Sequence, residues 1–305
     1  MSRALIEKIQ ALRAQRNAVI LAHNYQIGEV QDIADFVGDS LGLARQAAAT
    51  DADVIVFCGV LFMAETAAIL SPQRTVLLPD PTAGCPLADM ITPEALDELK
   101  AEHPDALVVS YVNSPASIKA RSDYCCTSGN AVELVQALPA GRPILFVPDQ
   151  HLGKHVMSVT GREMILWPGY CPTHARMDAE AIEDLKRRHP DAVVMAHPEC
   201  NDRIKALADE MLSTGQMLAF VGRSDARRFI VATENGILHT LRKQNPEKEF
   251  FSVSKRTICP NMKKITLEKV LWALEEMKHE IRVDDETAAK ARRALDRMLE
   301  VLPSR

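Results

Sequence analysis

The sequence predicts an α/β protein built from three homologous three-layer αβα domains with parallel sheets, arranged with pseudo-threefold symmetry around a central site. The first observation behind this is a repeated dipeptide. Cys-Pro occurs at Cys85-Pro86, Cys171-Pro172 and Cys259-Pro260, with spacings of 86 and 88 residues. The second is a helix start at one fixed distance beyond each: Ile91-Thr92-Pro93-Glu94, Met177-Asp178-Ala179-Glu180 and Ile265-Thr266-Leu267-Glu268. Thr or Asp ahead of a helical apolar pattern is an N-cap signal. The third is that short, near-continuous apolar runs alternate with helical sequence. Strands buried on both faces of a parallel sheet show that pattern.

Taken in order, residues 1–85, 86–171 and 172–259 form the three repeats, and 260–305 supplies C-terminal helices that pack back on them. Leu99 to Val109 matches Leu185 to Met195 through a shared His-Pro-Asp-Ala, at an offset of 86. The first repeat comes into register at 88, with Val19-Ile20-Leu21-Ala22 facing Leu107-Val108-Val109-Ser110. That period is domain-sized and too long for a solenoid. Opening helices are expected over 2–16, 93–102 and 178–188. Strands are expected at Ala18 to Ala22 and Ala106 to Val109, and then at Val54 to Phe57, Ile144 to Val147 and Met217 to Val221. A third set follows at Val76 to Leu78, Met164 to Leu166 and Phe250-Phe251. No linker is Gly/Ser-rich, so the repeats should pack tightly.

Apolar residues make up 47% of the 305 and charged residues 25%, as in a soluble globular protein. A net charge of −5 argues against a nucleic-acid-binding surface. No apolar run reaches membrane-spanning length. The opening Met1-Ser2-Arg3-Ala4-Leu5-Ile6-Glu7-Lys8 is no signal peptide. A cytoplasmic location is expected, where thiols stay reduced. Seven cysteines there read as metal ligands or buried thiols before disulfides.

If the repeats converge, equivalent positions should carry the chemistry. At the end of each first strand stand His23 and Tyr25, Tyr111 and Asn113, and His197 and Glu199, spaced by 88 and then 86. Seventeen residues after the first member of each pair come Ser40, Ser128 and Thr214. Ligands of parallel α/β sheets bind at the carboxyl ends of strands. A hydroxyl opening a helix is ordinarily an N-cap, but three in register would also gather free N–H groups for carboxylates or phosphate.

One Cys-Pro is ordinarily a buried turn; three in register suggest three thiolates on one axis. A structural zinc site wants four protein ligands. Three cysteines with an open position suit a [4Fe–4S] cluster with one free iron, and zinc with three thiolates and water remains open. Cys58, Cys125, Cys126 and Cys200 have no such register and read as packing thiols. His103 and His189 read as helix C-terminal residues. Asp149-Gln150-His151 follows a strand and could reach the site, without counterparts in the other repeats. No GxGxxG or Walker sequence signals a nucleotide.

The motifs Ala22-His23-Asn24-Tyr25, Gly38-Asp39-Ser40, Tyr111-Val112-Asn113-Ser114, His197-Pro198-Glu199-Cys200, Ser213-Thr214-Gly215 and Ile258-Cys259-Pro260-Asn261-Met262-Lys263 are spread from residue 22 to residue 263, and the likeness they mark covers nearly the whole chain. On them the sequence resembles the quinolinate synthase family, the A protein of de novo NAD biosynthesis. The resemblance implies a triangle of three α/β domains around a [4Fe–4S] cluster held by Cys85, Cys171 and Cys259. It implies condensation of iminoaspartate with dihydroxyacetone phosphate to quinolinate, phosphate and two waters. It places the strand-end and hydroxyl residues around the substrates. Longer members with a CxxCxxC stretch differ here, because Cys259 is followed by Pro260, Asn261 and Met262. For that chemistry Glu199 reads as general base, with Tyr25 as its acid/base partner. His23 and His197 would donate hydrogen bonds or charge to carboxylates, and Tyr111 and Asn113 would orient the substrate. Ser40, Ser128 and Thr214 would hold phosphate or carboxylate oxygens. Partners are small molecules and, transiently, the enzyme that makes iminoaspartate; nucleic acid and membrane are not expected. Two other classes compete: a non-catalytic iron–sulfur or zinc protein with a sensing or structural role, and a metal-free enzyme acting on a phosphorylated small molecule.

Overall fold

The computed structural model describes residues 2–301. Residues 1 and 302–305, at the outer ends of the expected 1–85 and 260–305 segments, lie outside the described residues. The first sheet holds β1 (Ala18–His23), β2 (Phe36–Gly38), β3 (Val54–Cys58) and β4 (Thr75–Leu77). The second holds β5 (Leu107–Tyr111), β6 (Tyr124–Cys126), β7 (Ile144–Val147) and β8 (Ile165–Leu166). The third holds β9 (Val193–Ala196), β10 (Glu210–Met211), β11 (Arg228–Ala232) and β12 (Glu249–Ser252). The strand orders are β2-β1-β3-β4, β6-β5-β7-β8 and β10-β9-β11-β12, and every pairing is parallel. Helices flank each sheet, giving three αβα layers repeated three times. The helix starts read from the sequence are real caps. Thr92, Asp178 and Thr266 accept from the N–H of Ala95, Glu180 and Lys269.

Two expectations change. Each sheet has four strands rather than three, because β2, β6 and β10 are two or three residues long and leave no apolar run to see. Met217 to Val221 is also not a strand. It lies in the helix Thr214–Arg223, and the strand of that position is β11. Thr214, Met217 and Val221 are the buried positions, a helical spacing, and Ser213 with Gln216 closes a capping box at the start. A short apolar run does not by itself separate helix from strand.

A bond repeated in all three units ties the extra strands down. Asp35, Asp123 and Asp209 stand just before β2, β6 and β10. Their carboxylates accept the N–H of Ile20, Val108 and Val194, each at 2.8 Å. Their own N–H groups return to the carbonyls of the same three residues, each at 2.9 Å. The units also contact one another head to tail through equivalent positions. Gln31 Nε2 donates to the carbonyl of Gly236 at 2.9 Å. Lys119 Nζ lies 5.4 Å over the Phe62 ring, and Lys205 Nζ donates to the carbonyl of His151. After the third unit ends, Leu267–Glu276 packs on the helix Ser2–Gln15 and on β3. The last helix, Asp285–Glu300, packs on Leu61–Leu70, Ala116–Lys119 and β6, so the C-terminal segment bridges the first two units.

Candidate active site

The carboxyl ends of β1, β5 and β9 open onto one cavity. His23, Tyr25, Tyr111, Asn113, His197 and Glu199 all line it. So do Ser40, Ser128, Thr214 and the three cysteines of the Cys-Pro turns. The twelve residues singled out in the sequence therefore meet at one place, although they span the chain from 23 to 259.

Each cysteine begins a tight turn whose peptide N–H groups point back at its sulfur. Leu87 and Ala88 donate to Cys85, His174 to Cys171, and Asn261 and Met262 to Cys259. Proline next to the cysteine has no N–H to compete and presets the turn. The three sulfurs are partly accessible, but to the cavity rather than to open solvent, so they are desolvated. Burial pushes Cys85 up to about 12, Cys171 well above the ordinary thiol value and Cys259 up as well. Thiolates at these positions need a bound cation, which reverses that logic. Cys58, Cys125, Cys126 and Cys200 are fully buried in the cores, and the Cys200 thiol donates to the Ala232 carbonyl at 3.3 Å.

The hydroxyl residues are not the helix caps. Asp39 caps Ser40–Ala49 and Ser213 caps Thr214–Arg223, which frees Ser40 and Thr214 one position further in. Ser128 sits in the turn before Ala131–Ala137, with its Oγ 3.1 Å from His197 Nε2. Thr214 Oγ1 accepts from Asn24 Nδ2 at 3.0 Å.

His23 and His197 are held alike. Each Nδ1 accepts a backbone N–H two residues on, from Tyr25 at 3.1 Å and from Glu199 at 3.3 Å. That assigns the proton to Nε2. Burial lowers both imidazoles to about 3, against a weaker opposing pull from Glu199. At neutral pH they donate hydrogen bonds, not charge.

Glu199 is the centre of the polar network. Tyr111 Oη donates to Oε1 at 2.5 Å and Asn113 Nδ2 at 3.3 Å, while His174 Nδ1 lies 2.8 Å from Oε2. Burial opposes the charge on Glu199, but the histidines and these hydrogen bonds outweigh it and hold the carboxyl well below its usual range. His174 and Tyr111 make the short direct contacts to the carboxylate. Through its other nitrogen, His174 lies 2.9 Å from Thr233 Oγ1 and 3.4 Å from Tyr25 Oη, and Tyr25 Oη is 2.5 Å from Thr233 Oγ1. Burial first, and then the charge of Glu199, raise Tyr25 and Tyr111 well above the usual tyrosine value. The Tyr25 hydroxyl therefore keeps its proton and is connected to Glu199 through His174.

His174, Thr233 and Glu234 were not singled out in the sequence, and Lys263 closed the motif that begins at Ile258 without being given a role. His174 stands three residues past Cys171, where the equivalent positions hold Ala88 and Met262, so a search for recurring residues passes over it. The Cys-x-x-His spacing was the available signal. Cys171 Sγ, His174 Nδ1 and a Glu199 oxygen lie within 4.8 Å of one another and could hold a metal ion. Asp149 caps the helix Gln150–Thr160 and does not line the cavity.

Comparison with known proteins matches residues 7–300 to the family model NadA, quinolinate synthetase A protein. A quinolinate synthase of Dehalococcoides mccartyi strain CBDB1 is 55% identical over 303 residues, covering 99% of this chain and 100% of that one. A Thermus thermophilus quinolinate synthase is 55% identical over 98% of this chain and 97% of its own. The Geobacter metallireducens quinolinate synthase is 53% identical over 97% of both chains. With its three cysteine turns and strand ends on one cavity and this similarity along its length, the chain belongs to the quinolinate synthase family.

Proposed function

We propose that this enzyme of NAD biosynthesis condenses iminoaspartate with dihydroxyacetone phosphate, releasing quinolinate, phosphate and two waters. One observation carries the reading: three desolvated cysteine sulfurs share a cavity with nine polar residues from equivalent positions of three repeats. The same reading takes 1–85, 86–171 and 172–259 as repeats around a pseudo-threefold axis, with 260–305 packing back on them. The repeated strand order, aspartate bonds and head-to-tail contacts support it. No helix among the described residues is long and apolar enough to cross a membrane. Cytoplasmic location and a transient contact with the source of iminoaspartate belong to this proposal.

The residues fit a [4Fe–4S] cluster held by Cys85, Cys171 and Cys259. Each sulfur receives peptide N–H groups, the donors that stabilise cluster thiolates. A cluster with three cysteines keeps one iron open as a Lewis acid for a substrate oxygen, without net redox change. The chain's own groups do the rest. Ser40 and Thr214, at the positive ends of two ten-residue helices, bind carboxylate or phosphate oxygens. His23 and His197 donate neutral N–H bonds, and Asn113 with Tyr111 orients the substrate. Glu199 accepts a proton, and Tyr25 donates one through the Glu199–His174–Tyr25 chain. Low exposure of these groups keeps water from a reactive imine.

The test is anaerobic purification with iron and sulfide counts and a quinolinate assay. About four irons per chain are expected, lost together with activity in Cys85→Ala, Cys171→Ala and Cys259→Ala and retained in Cys125→Ala. A cluster indifferent to the three changes would overturn the assignment. The closeness of Cys171, His174 and Glu199 favours a second reading, a single metal ion at that trio. It requires one metal per chain and its retention in Cys85→Ala.

A further inference from the structure

Glu234 stands two residues beyond β11, where the equivalent positions hold Val60 and Asp149. It is fully buried. Its Oε2 accepts the N–H of Gly236 at 2.7 Å, and its Oε1 accepts the N–H of Cys259 at 3.1 Å. Lys263 Nζ lies 3.0 Å from Oε1 and 3.2 Å from Oε2, and also donates to the carbonyl of Tyr25. One ion pair, its carboxylate buried and its ammonium partly so, thus joins the exit of β11, the Cys259 turn and the exit of β1 that carries Tyr25. The join is tight. A Cβ on Gly236 would meet the Tyr25 carbonyl carbon at 2.7 Å and both Glu234 Oε2 and Lys263 Nζ at 2.8 Å. The Cys85 turn has no carboxylate at the matching position, where Val60 stands.

We propose that Glu234 and Lys263 are positioning residues that lock the Cys259 turn to Tyr25, so that the third cysteine and the proton donor keep one geometry. This rests on Cys259 being a cluster ligand. A carboxylate that fixes the backbone of a ligand turn does the work of the outer partners that orient metal ligands. A buried ion pair that loses one member is the place where such a lock would fail.

The experiment labels the full chain with iodoacetamide, metal-free and reduced, and follows Cys85, Cys171 and Cys259 separately by mass spectrometry. In Glu234→Gln the Cys259 rate is expected to rise about tenfold with Cys85 and Cys171 unchanged, and reconstituted iron to be held about tenfold more weakly. Lys263→Met should reproduce the pattern if Glu234→Gln does not fold, and Lys263→Arg should restore the wild-type Cys259 rate. Unchanged Cys259 labelling, or equal acceleration at all three cysteines, overturns the proposal. Wild-type chain that takes up no iron would instead overturn the cluster reading, while the labelling still decides whether the lock exists.

Discussion

The turns after Cys171 and Cys259 start alike and end in different jobs. Both open with Cys-Pro and aim peptide N–H groups at sulfur. Three residues on, the first presents His174, which lies between Cys171, Glu199 and Tyr25. Four residues on, the second presents Lys263, which pairs with Glu234 and reaches the Tyr25 carbonyl. The turn after Cys85 has Ala88 at the first place and Asp89 at the second. Repetition of a domain supplies three sulfurs on equal terms, and divergence of the turns then connects two of them to one tyrosine. One connection is to its hydroxyl and can move protons; the other is to its backbone and can only hold it.

That contrast can be broken most strongly at His174. His174→Gln should lower turnover by roughly a hundred- to ten-thousand-fold, the scale of a lost acid/base group, with iron per chain unchanged. Loss of metal along with activity would sharpen the case for the single-ion site instead. Steady-state rates and iron counts on one preparation separate the two.

A smaller effect is expected at Tyr111, which touches the network without belonging to a cysteine turn. Tyr111→Phe removes the 2.5 Å bond to Glu199. A hydrogen bond to a charged group contributes about 1.5–3 kcal/mol, so kcat/KM should fall by roughly tenfold or more. With a stabilising donor gone, the Glu199 carboxyl rises, and the acid limb of the pH profile should move to higher pH. A profile that stays in place would show that Glu199 is not the group titrating.

The last effect is on stability rather than on rate. Burial holds His23 and His197 near 3, against the ordinary 6.5. Between those values the unfolded chain binds more protons than the folded one, so stability must fall as pH falls through that window. Each imidazole contributes a slope of about 1.4 kcal/mol per pH unit. Glu199, whose carboxyl is depressed, adds the same sign below its ordinary value. Urea unfolding across this range should show the slope, and His197→Asn should flatten it.

The triplicated architecture was legible because Cys85, Cys171 and Cys259 and the pairs ending at Tyr25, Asn113 and Glu199 keep one spacing. Equivalent positions in a repeated fold must meet if the repeats do. The Thr92, Asp178 and Thr266 caps were legible because capping is local chemistry. The short strands β2, β6 and β10 were not, since Asp35, Asp123 and Asp209 hold them by bonds to residues 15 away that no local pattern announces. Met217 to Val221 misled because an apolar run records burial and not backbone shape.

By itself, then, the sequence determined what repeats: the fold class, the three sulfurs and the strand-end residues, because periodicity and capping are properties of neighbouring residues. Only the tertiary structure decided what does not repeat. His174 and the Glu234–Lys263 pair have no counterparts in the other units, and the contacts that tie them to Glu199, Cys259 and Tyr25 span 25 to 238 residues. Contacts between residues so far apart form only when the chain is folded, and so do the burial that keeps His23 and His197 neutral and the hydrogen bonds that hold Glu199 charged against its own burial.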